Sequence, residues 1–521
     1  MALHAQGPSV AERPPRFGVL AERKTRARRD EIEAFFAAPV DTMPPTIASP
    51  GASVSRAPPT TPAATLTTRD AIGIIVGIVI GAGVFTLPAF VARSAGGEAL
   101  VLGLWLAGGL LSVVGALCYA ELATTYPNAG GDYFFVQRAY GPNVAFIYAW
   151  ARVAVITTGS ITFLGFTFGD YMSRLLPLGA ASSGLYAALS IAAFTLVNLF
   201  GIREAKNAQN LLTSLEVLGV LAVIVAGFWF VPAAAPALGE PSSAPAGTNA
   251  IGLAMVFVLF AYGGWSEAAY ISAEIKAPRG ILSALLTALT VITALYLLFN
   301  LACIRGLSLP VMANSTTLAA DLLERAWGTP GVVLVSAIVA VSTLSSINAT
   351  VIVGARSNFA LGRDAPGFGW LGRWDRAKGT PTTGLILQGV VSLALVALGS
   401  ATRQGLQTMI DFTAPVFWFF FLLIGVSVFI LRIREPARKR PFRVPLYPIT
   451  PLVFCVTSAY LLYASLTYVK TGAIVGVGVI VFGLGPLAWG RRRKRLALLC
   501  ALLGLAVIAL GFPELRSLLW G

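Results

Sequence analysis

Apolar runs of about twenty residues recur along the whole chain and are separated by short polar segments. A run of this length lets a helix cross the hydrocarbon core of a bilayer, and the strict alternation of barrel strands is absent. The pattern predicts an all-α polytopic membrane protein with about twelve spans and a thirteenth candidate. The predicted spans are 71–92, 99–120, 144–169, 185–201, 211–231, 251–273, 281–304, 331–353, 383–399, 409–431, 446–468 and 472–489, with a further run at 496–512.

Two of these spans are interrupted by glycine, at "IVIGAGVFTLP" (78–88) in span 1 and at "FAYGGW" (260–265) in span 6. Broken helix is tolerated inside a membrane only where it lines a cavity enclosed by protein. Spans 1 and 6 are separated by an odd number of crossings, so the second half would insert upside down relative to the first. Matching breaks in two halves predict a transporter site between inverted repeats. Small-residue spacing in span 1 is equally compatible with close helix packing.

The two breaks together offer the groups that hold a zwitterion. A half-helix N-terminus presents free amides and a positive dipole end that suit a carboxylate, while unwound carbonyls suit an ammonium group. The predicted amides are those of Gly81, Ala82 and Gly83, and the predicted carbonyls are those of Phe260, Ala261 and Gly263.

Charged groups inside the predicted spans are candidates for ion coupling, because burying them in a membrane is costly. Glu216 lies in the run 211–231, and Glu267 lies just beyond the second break. Glu216 suits a proton carrier, a partner for a cation or a structural hydrogen bond. Arg152 in span 3 either extends to the interface or pairs with a carboxylate such as Glu121.

Two further stretches in the spans each have a plain packing interpretation. The aromatic run "FWFFF" (417–421) covers all faces of a helix, which favours bulk facing lipid. Span 8 is unusually polar, and its side chains either face the cavity or bond between helices. The polar residues of span 8 are Ser342, Ser345, Ser346 and Asn348.

Composition narrows the class further. Only 12% of residues are charged, and the net charge is +15. If the spans alternate in direction, most of the basic residues fall on one side of the membrane, which predicts a cytoplasmic N-terminus. This distribution explains the basic charge without nucleic-acid binding. Residues 1–69 read as a disordered basic cytoplasmic tail. The single histidine, His4, lies in that tail, and four cysteines lie in apolar runs, so we expect no metal site, no cofactor and no enzymatic centre.

Several longer motifs resemble one known family, the amino acid–polyamine–organocation permeases, near the L-type amino acid transporter branch and its bacterial relatives. The resemblance covers roughly 70–490, and its motifs occur in the expected order. They are "IGAGVF" (80–85), "YAELATTYPNAGGDYFFVQRAYG" (119–141), "TTGSITFLGFTFGDY" (157–171), "FAYGGW" (260–265), "AEIKAPRGIL" (273–282), "SSINATVIVGARSNFALGRD" (345–364) and "RPFRVPLYPITP" (440–451).

The resemblance implies a LeuT-type fold of two inverted five-helix repeats, 70–231 and 249–431, followed by spans 11 and 12 at 445–490 and the extra run at 496–512. It implies alternating access and an amino acid substrate, bound between spans 1 and 6. By position, the resemblance implies that Val79, Ala82 and Gly83 face the substrate carboxylate and that Phe260, Ala261 and Gly263 face its amine. Phe260 is also an expected gate, and Ser266 is expected to face the side-chain pocket. Tyr262 is the remaining residue expected at the substrate site.

The implied function is secondary transport of amino acids across the cell membrane, coupled to protons or to exchange. A polyamine or cationic amino acid substrate and a nutrient sensor remain alternatives. Three positions depart from the family pattern. Ala82 stands where Ser is common, Glu216 stands where Lys is common, and 172–184 lacks the Cys that would link a heavy chain, so no disulfide-linked partner is expected.

Overall fold

The computed structural model of the chain describes residues 67–510, except 82, 129, 234–247, 273–274, 277–279, 366, 376, 402–404 and 491–492. Within that part the protein is built from α-helices, with one π-helical turn at Arg152–Ile156 and one 3-10 turn at Trp265–Glu267. In chain order the helices are α1 Thr68–Val79, α2 Gly83–Ala95, α3 Glu98–Thr125, α4 Asp132–Tyr140, α5 Pro142–Ala151, α6 Thr157–Leu175, α7 Ser182–Phe200, α8 Ile202–Trp229, α9 Thr248–Ala261, α10 Ala268–Ile271, α11 Gly280–Leu307, α12 Leu309–Asn314, α13 Leu318–Trp327, α14 Thr329–Asp364, α15 Thr382–Ala401, α16 Gly405–Arg434, α17 Ile449–Gly490 and α18 Lys494–Leu510.

The predicted all-α polytopic class is confirmed. Among the described residues, nine helices are long and apolar enough to cross a membrane, or eleven when each of two bent pairs is counted as one span. The prediction of about twelve spans is close to this count. α17 continues without a break over both predicted spans 11 and 12, and the run at 496–512 forms most of α18, which packs along α17. Nearly all of the predicted tail, 1–69, lies outside the described residues.

The two bent pairs are the two spans that the sequence marks as broken. α1 and α2 meet at an angle of 47° around residues 80–82, and α9 meets the turn that leads into α10 at 41°. Gly264 has a φ of +105°, which a residue with a side chain adopts only with strain, so a glycine is needed where span 6 turns. The breaks therefore arise from the local sequence and not from tertiary packing alone.

Candidate functional site

A cavity lies between the two breaks and is lined by residues of both. Span 1 contributes Ile78, Val79, Gly81 and Gly83, and span 6 contributes Phe260, Ala261, Gly263, Gly264, Ser266 and Glu267. The N-terminus of α2 and the C-terminus of α9 thus face one space. Helix ends carry backbone amides and carbonyls without intrahelical partners, so this space is bordered by donors on one side and acceptors on the other.

Tyr296, on α11, joins the two breaks directly. Its hydroxyl lies 2.8 Å from the carbonyl oxygen of Val79 and 3.1 Å from that of Ala261. The side chain is fully buried beneath the breaks and also stacks near Tyr262. No sequence pattern marks this residue, because an isolated tyrosine in an apolar span is ordinary. Tyr296 fixes the separation of the two carbonyl-bearing helix ends.

Span 8 packs so closely against the first break that position 81 has room only for a glycine. A Cβ at position 81 would lie only 2.4 Å from the hydroxyl oxygen of Ser346, so no larger residue fits there without displacing Ser346. Ser346 is buried, lines the cavity, and its hydroxyl has no hydrogen-bond partner. Of the two interpretations of polar span 8, both apply: Ser346 faces the cavity, while Asn348 bonds to Asn198 and Gln209 on neighbouring helices.

The remaining walls come from span 8, for which the sequence left a cavity-facing role open, and from spans 3 and 10, which the sequence did not assign to the site. Span 3 turns through its π-helical segment here and supplies Arg152, Thr157 and Phe163. The buried hydroxyl of Thr157 also lacks a hydrogen-bond partner. Phe163 contacts Phe260 edge to face, with ring centroids 5.5 Å apart. The cavity therefore combines two unpaired hydroxyls with one aromatic pair, which suits a small ligand with polar ends.

Of the predicted substrate residues that the structure describes, all but Tyr262 line this cavity. Ala82 lies outside the described residues. Tyr262 is buried away from the cavity lining, and its hydroxyl donates to the carbonyl oxygen of Trp105 at 3.0 Å. Its neighbour Gly263 does line the cavity, because consecutive residues at a helix break point in different directions.

A bidentate ion pair joins span 3 to span 6 at the cavity wall. Both terminal nitrogens of Arg152 lie 3.1 Å from Glu267 Oε1, and Nη2 also lies 3.1 Å from Oε2. Both residues line the cavity. Of the two expectations for Arg152, pairing with a carboxylate is confirmed, but the partner is Glu267 and not Glu121, because the break in span 6 brings Glu267 within reach.

Glu121 instead belongs to a separate ionic group at the end of α3. Its carboxylate pairs with Arg432 and with Arg440, and it accepts the backbone amide of Val444 at 2.6 Å. Only 2% of Glu121 is exposed. On sequence grounds Glu121 is a possible partner of Arg152, whereas in the structure the loop after α16 folds over Glu121 and supplies other partners.

Glu216 is buried between α8 and α14 and does not line the cavity. It accepts a hydrogen bond of 2.6 Å from Ser342, and its second oxygen has no partner. Within the described residues no arginine or lysine forms a salt bridge with it. A buried carboxyl without a counter-ion avoids a large desolvation cost when it holds a proton.

The aromatic run 417–421 is mostly internal, which corrects its assignment to the lipid face. Phe417 lines the main cavity, and Trp418, Phe420 and Phe421 are buried. Only Phe419 is extensively exposed, at 39%. Phe417, Trp418 and Phe421 also border a smaller apolar cavity that shares Gly263 with the main one. Neighbouring helices cover more than one face of α16, so five consecutive aromatics can be largely buried.

Comparison with known proteins gives a consistent result. The family described as amino acid permease matches residues 66–489. A serine/threonine exchanger, SteT, of Bacillus subtilis (strain 168) is 28% identical over 437 residues, which cover 82% of this chain and 96% of that protein. The b(0,+)-type amino acid transporter 1 of Mus musculus is 27% identical over 75% of this chain and 80% of its own length. Large neutral amino acids transporter small subunit 2 of Homo sapiens is 28% identical, over 80% of this chain and 78% of its own.

Proposed function

The chain belongs to the amino acid permease family and is a multi-pass membrane transporter of amino acids, and we propose that it is a secondary transporter working by alternating access around the cavity between the span 1 and span 6 breaks. The observation that carries this proposal is the facing pair of helix ends bridged by Tyr296. In the proposal, 70–231 and 249–431 are inverted repeats, and the substrate is held where their first helices break.

The proposed pose follows from the charges of the two helix ends. The substrate carboxylate lies at the N-terminus of α2, near the amide of Gly83, where the helix dipole favours an anion. The amide of Gly81 already donates to the carbonyl oxygen of Val79 at 2.8 Å. The ammonium group lies at the C-terminus of α9, near the carbonyls of Phe260 and Ala261. The Ala261 carbonyl has a second lone pair free beside its bond with Tyr296. Phe260, resting on Phe163, closes the cavity over the bound substrate.

We propose that the substrate is a neutral amino acid. Glu267, the carboxylate at the cavity wall, is already neutralised by Arg152, so it offers little attraction to a cationic side chain. Glu216 does not line the cavity. Two of the relatives bear names that specify serine, threonine or large neutral amino acids, which agrees with this choice. A polyamine or a cationic amino acid is the alternative and requires the Arg152–Glu267 pair to open.

The experiment that tests this function is uptake of a labelled amino-acid panel into proteoliposomes. Each substrate is tested with an inward proton gradient, with a sodium gradient, or with unlabelled amino acid preloaded inside. Saturable uptake of neutral amino acids supports the proposal, and the condition that drives it identifies the coupling. Uptake of lysine or a polyamine alone would overturn the substrate class, and binding without uptake under any condition would favour a sensor.

For coupling, we propose that the N-terminus is cytoplasmic and that Glu216 holds a coupled proton. Glu216→Gln then removes uptake driven by a pH gradient while exchange continues, because the glutamine mimics the protonated carboxyl permanently. Glu324→Gln, the same substitution at an exposed position of α13, is the matched control and should change neither activity. Gradient-driven uptake of normal pH dependence in the Glu216 variant would contradict the proposal and return attention to Glu267 or to exchange alone.

A further inference from the structure

Asp132 lies beside the Arg152–Glu267 pair, in a buried group that the transport proposal does not use. Asp132 opens α4, in the segment between two spans, and only 2% of it is exposed. Its Oδ2 accepts hydrogen bonds from Tyr119 at 3.2 Å and from Tyr148 at 3.1 Å. We call these groups the Arg152 cluster. Its members are Tyr119, Asp132, Tyr148, Arg152, Glu267 and Tyr270.

The cluster contains two carboxylates and one arginine. Glu267 takes both terminal nitrogens of Arg152. Asp132 is linked to Arg152 only through Tyr148, whose hydroxyl lies 3.4 Å from Arg152 Nη1. Two buried polar atoms are left without partners, Asp132 Oδ1 and Arg152 Nε. Among the residues that the structure describes, no arginine or lysine forms a salt bridge with Asp132, so its ionised form is a buried and uncompensated negative charge, which is costly.

We propose that Asp132 is a proton-binding site, and that its protonation controls the strength of the Arg152–Glu267 ion pair. When Asp132 is protonated, Arg152 pairs with one carboxylate, that of Glu267, and this ion pair links span 3 to span 6. When Asp132 loses its proton to water, two carboxylates compete for the arginine and the link weakens. The proton site thus lies outside the substrate cavity and acts on its wall.

The surroundings of Asp132 support this assignment on every side. Facing it are Tyr119 from α3, Tyr148 from α5, Arg152 from the π-helical turn, Glu267 from the 3-10 turn and Tyr270 from α10, whose hydroxyl lies 3.2 Å from that of Tyr148.

α16 also packs on α4, but the contact that Arg434 makes, with the Ala139 carbonyl, is at the far end of that helix. Burial raises the pKa of Asp132 from the ordinary value of 3.8 to about 7, against the opposing effect of Arg152. The group would therefore change charge within the physiological range.

The transport consequence rests on the proposed function, but protonation itself is measured without transport. The first readout is the infrared absorption of protonated carboxyl groups in the purified protein in lipid, titrated from pH 5 to pH 9. Wild-type protein should lose one carboxyl band with a midpoint near 7. Asp132→Asn should lack that titration, whereas Asp364→Asn, a control at the end of α14 outside the cluster, should retain it.

A second variant avoids reliance on Asp132→Asn, which deletes the buried charge. Tyr119→Phe removes one hydrogen bond that stabilises the carboxylate and leaves the carboxyl in place. Its midpoint should shift to higher pH by about one unit, because the charged form loses a donor. An unchanged midpoint in Tyr119→Phe would contradict the geometry, and a wild-type spectrum without a band that Asp132→Asn removes would overturn the proton site.

The second readout is amino-acid exchange at equal pH on both sides, where no gradient contributes. Wild-type exchange should accelerate between pH 6 and pH 8, as the Arg152–Glu267 link weakens, and Asp132→Asn should keep the slow rate throughout. A pH profile that Asp132→Asn leaves unchanged would overturn the control of this link. Absence of exchange in the wild type would instead refute the transport proposal, and the infrared titration would still decide whether Asp132 binds a proton.

Discussion

Two buried ionic groups at different places in this protein differ in how well their charges balance. We call the group of Glu121, Arg432, Arg440 and the Val444 amide the Glu121 clamp. In the clamp, one carboxylate receives two arginines and a backbone amide, so both of its oxygens are satisfied. The Arg152 cluster has two carboxylates but one arginine, which pairs with Glu267. Asp132 Oδ1 and Arg152 Nε have no hydrogen-bond partner.

This difference in charge balance distinguishes the Glu121 clamp, a structural ionic group, from the Arg152 cluster, which can respond to its surroundings. The surplus charge of the Glu121 clamp is positive and lies on Arg432, which is partly exposed, with 18% of its side chain accessible. The Arg152 cluster lacks a second positive charge, and the carboxyl without a cation is that of Asp132, which is buried and adjoins the cavity wall. Water stabilises an excess charge near the surface, whereas a buried one must find a proton or a partner.

The largest effect is expected from Arg152→Ala, which removes the only cation of the Arg152 cluster. Breaking a buried pair from one side costs roughly 3–5 kcal/mol, and here two carboxylates are left without a cation. We expect loss of amino-acid uptake together with a lowered melting temperature. Arg174→Ala is the control, because its pair with Asp321 at 3.3 Å is partly exposed and worth at most about 1 kcal/mol. Equal effects of both variants would show that the cluster has no special role.

A smaller effect is expected from Glu121→Gln, because Arg432 is partly exposed and Arg440 still donates to the carbonyl oxygens of Leu431 and Glu435. The cost in unfolding free energy should be about 2–3 kcal/mol, at the low end for a buried pair. Transport by the protein that remains folded should keep its substrate preference and its pH dependence. Measurement combines a melting curve with uptake normalised to folded protein, and an altered pH profile would mean that the clamp and the cluster are coupled.

The smallest effect is expected at Glu435, which lies after α16 and pairs with Arg138 at 2.7 Å. Partial burial opposes ionisation, but the hydrogen bond from Arg138 prevails and holds the pKa of Glu435 below its ordinary value of 4.5. A lowered pKa means that this pair stabilises the folded state above about pH 4.5 and that the contribution is lost as the pH falls further.

Glu435→Gln should cost at most about 1 kcal/mol at pH 7 and less at high salt, because 22% of the side chain is exposed. Melting curves at pH 7 and at successively lower pH, down to about pH 2, measure the loss. A difference between variant and wild type that stays constant over this whole range would show that packing, and not the ion pair, is responsible.

The two broken spans illustrate what could be predicted from the sequence. Glycine at 81, 83, 263 and 264 in otherwise apolar runs has few explanations, so the positions of both breaks were predicted, and most of the residues expected to bind substrate line the cavity between them. The walls from spans 3 and 10 were not predicted, because Thr157 and Phe417 are ordinary residues in their local sequence. Only the packing of those helices around the breaks gives them a place at the cavity.

The sequence by itself determined the class of this protein, since the length of the apolar runs, the scarcity of charge and the interrupted spans are local properties that a bilayer converts directly into structure. The tertiary structure alone decided the pairing of the charged groups. Arg152 is distant in sequence from both Glu121 and Glu267, and its local surroundings are compatible with either. Which carboxylate receives the arginine depends on distances between helices that no stretch of sequence specifies.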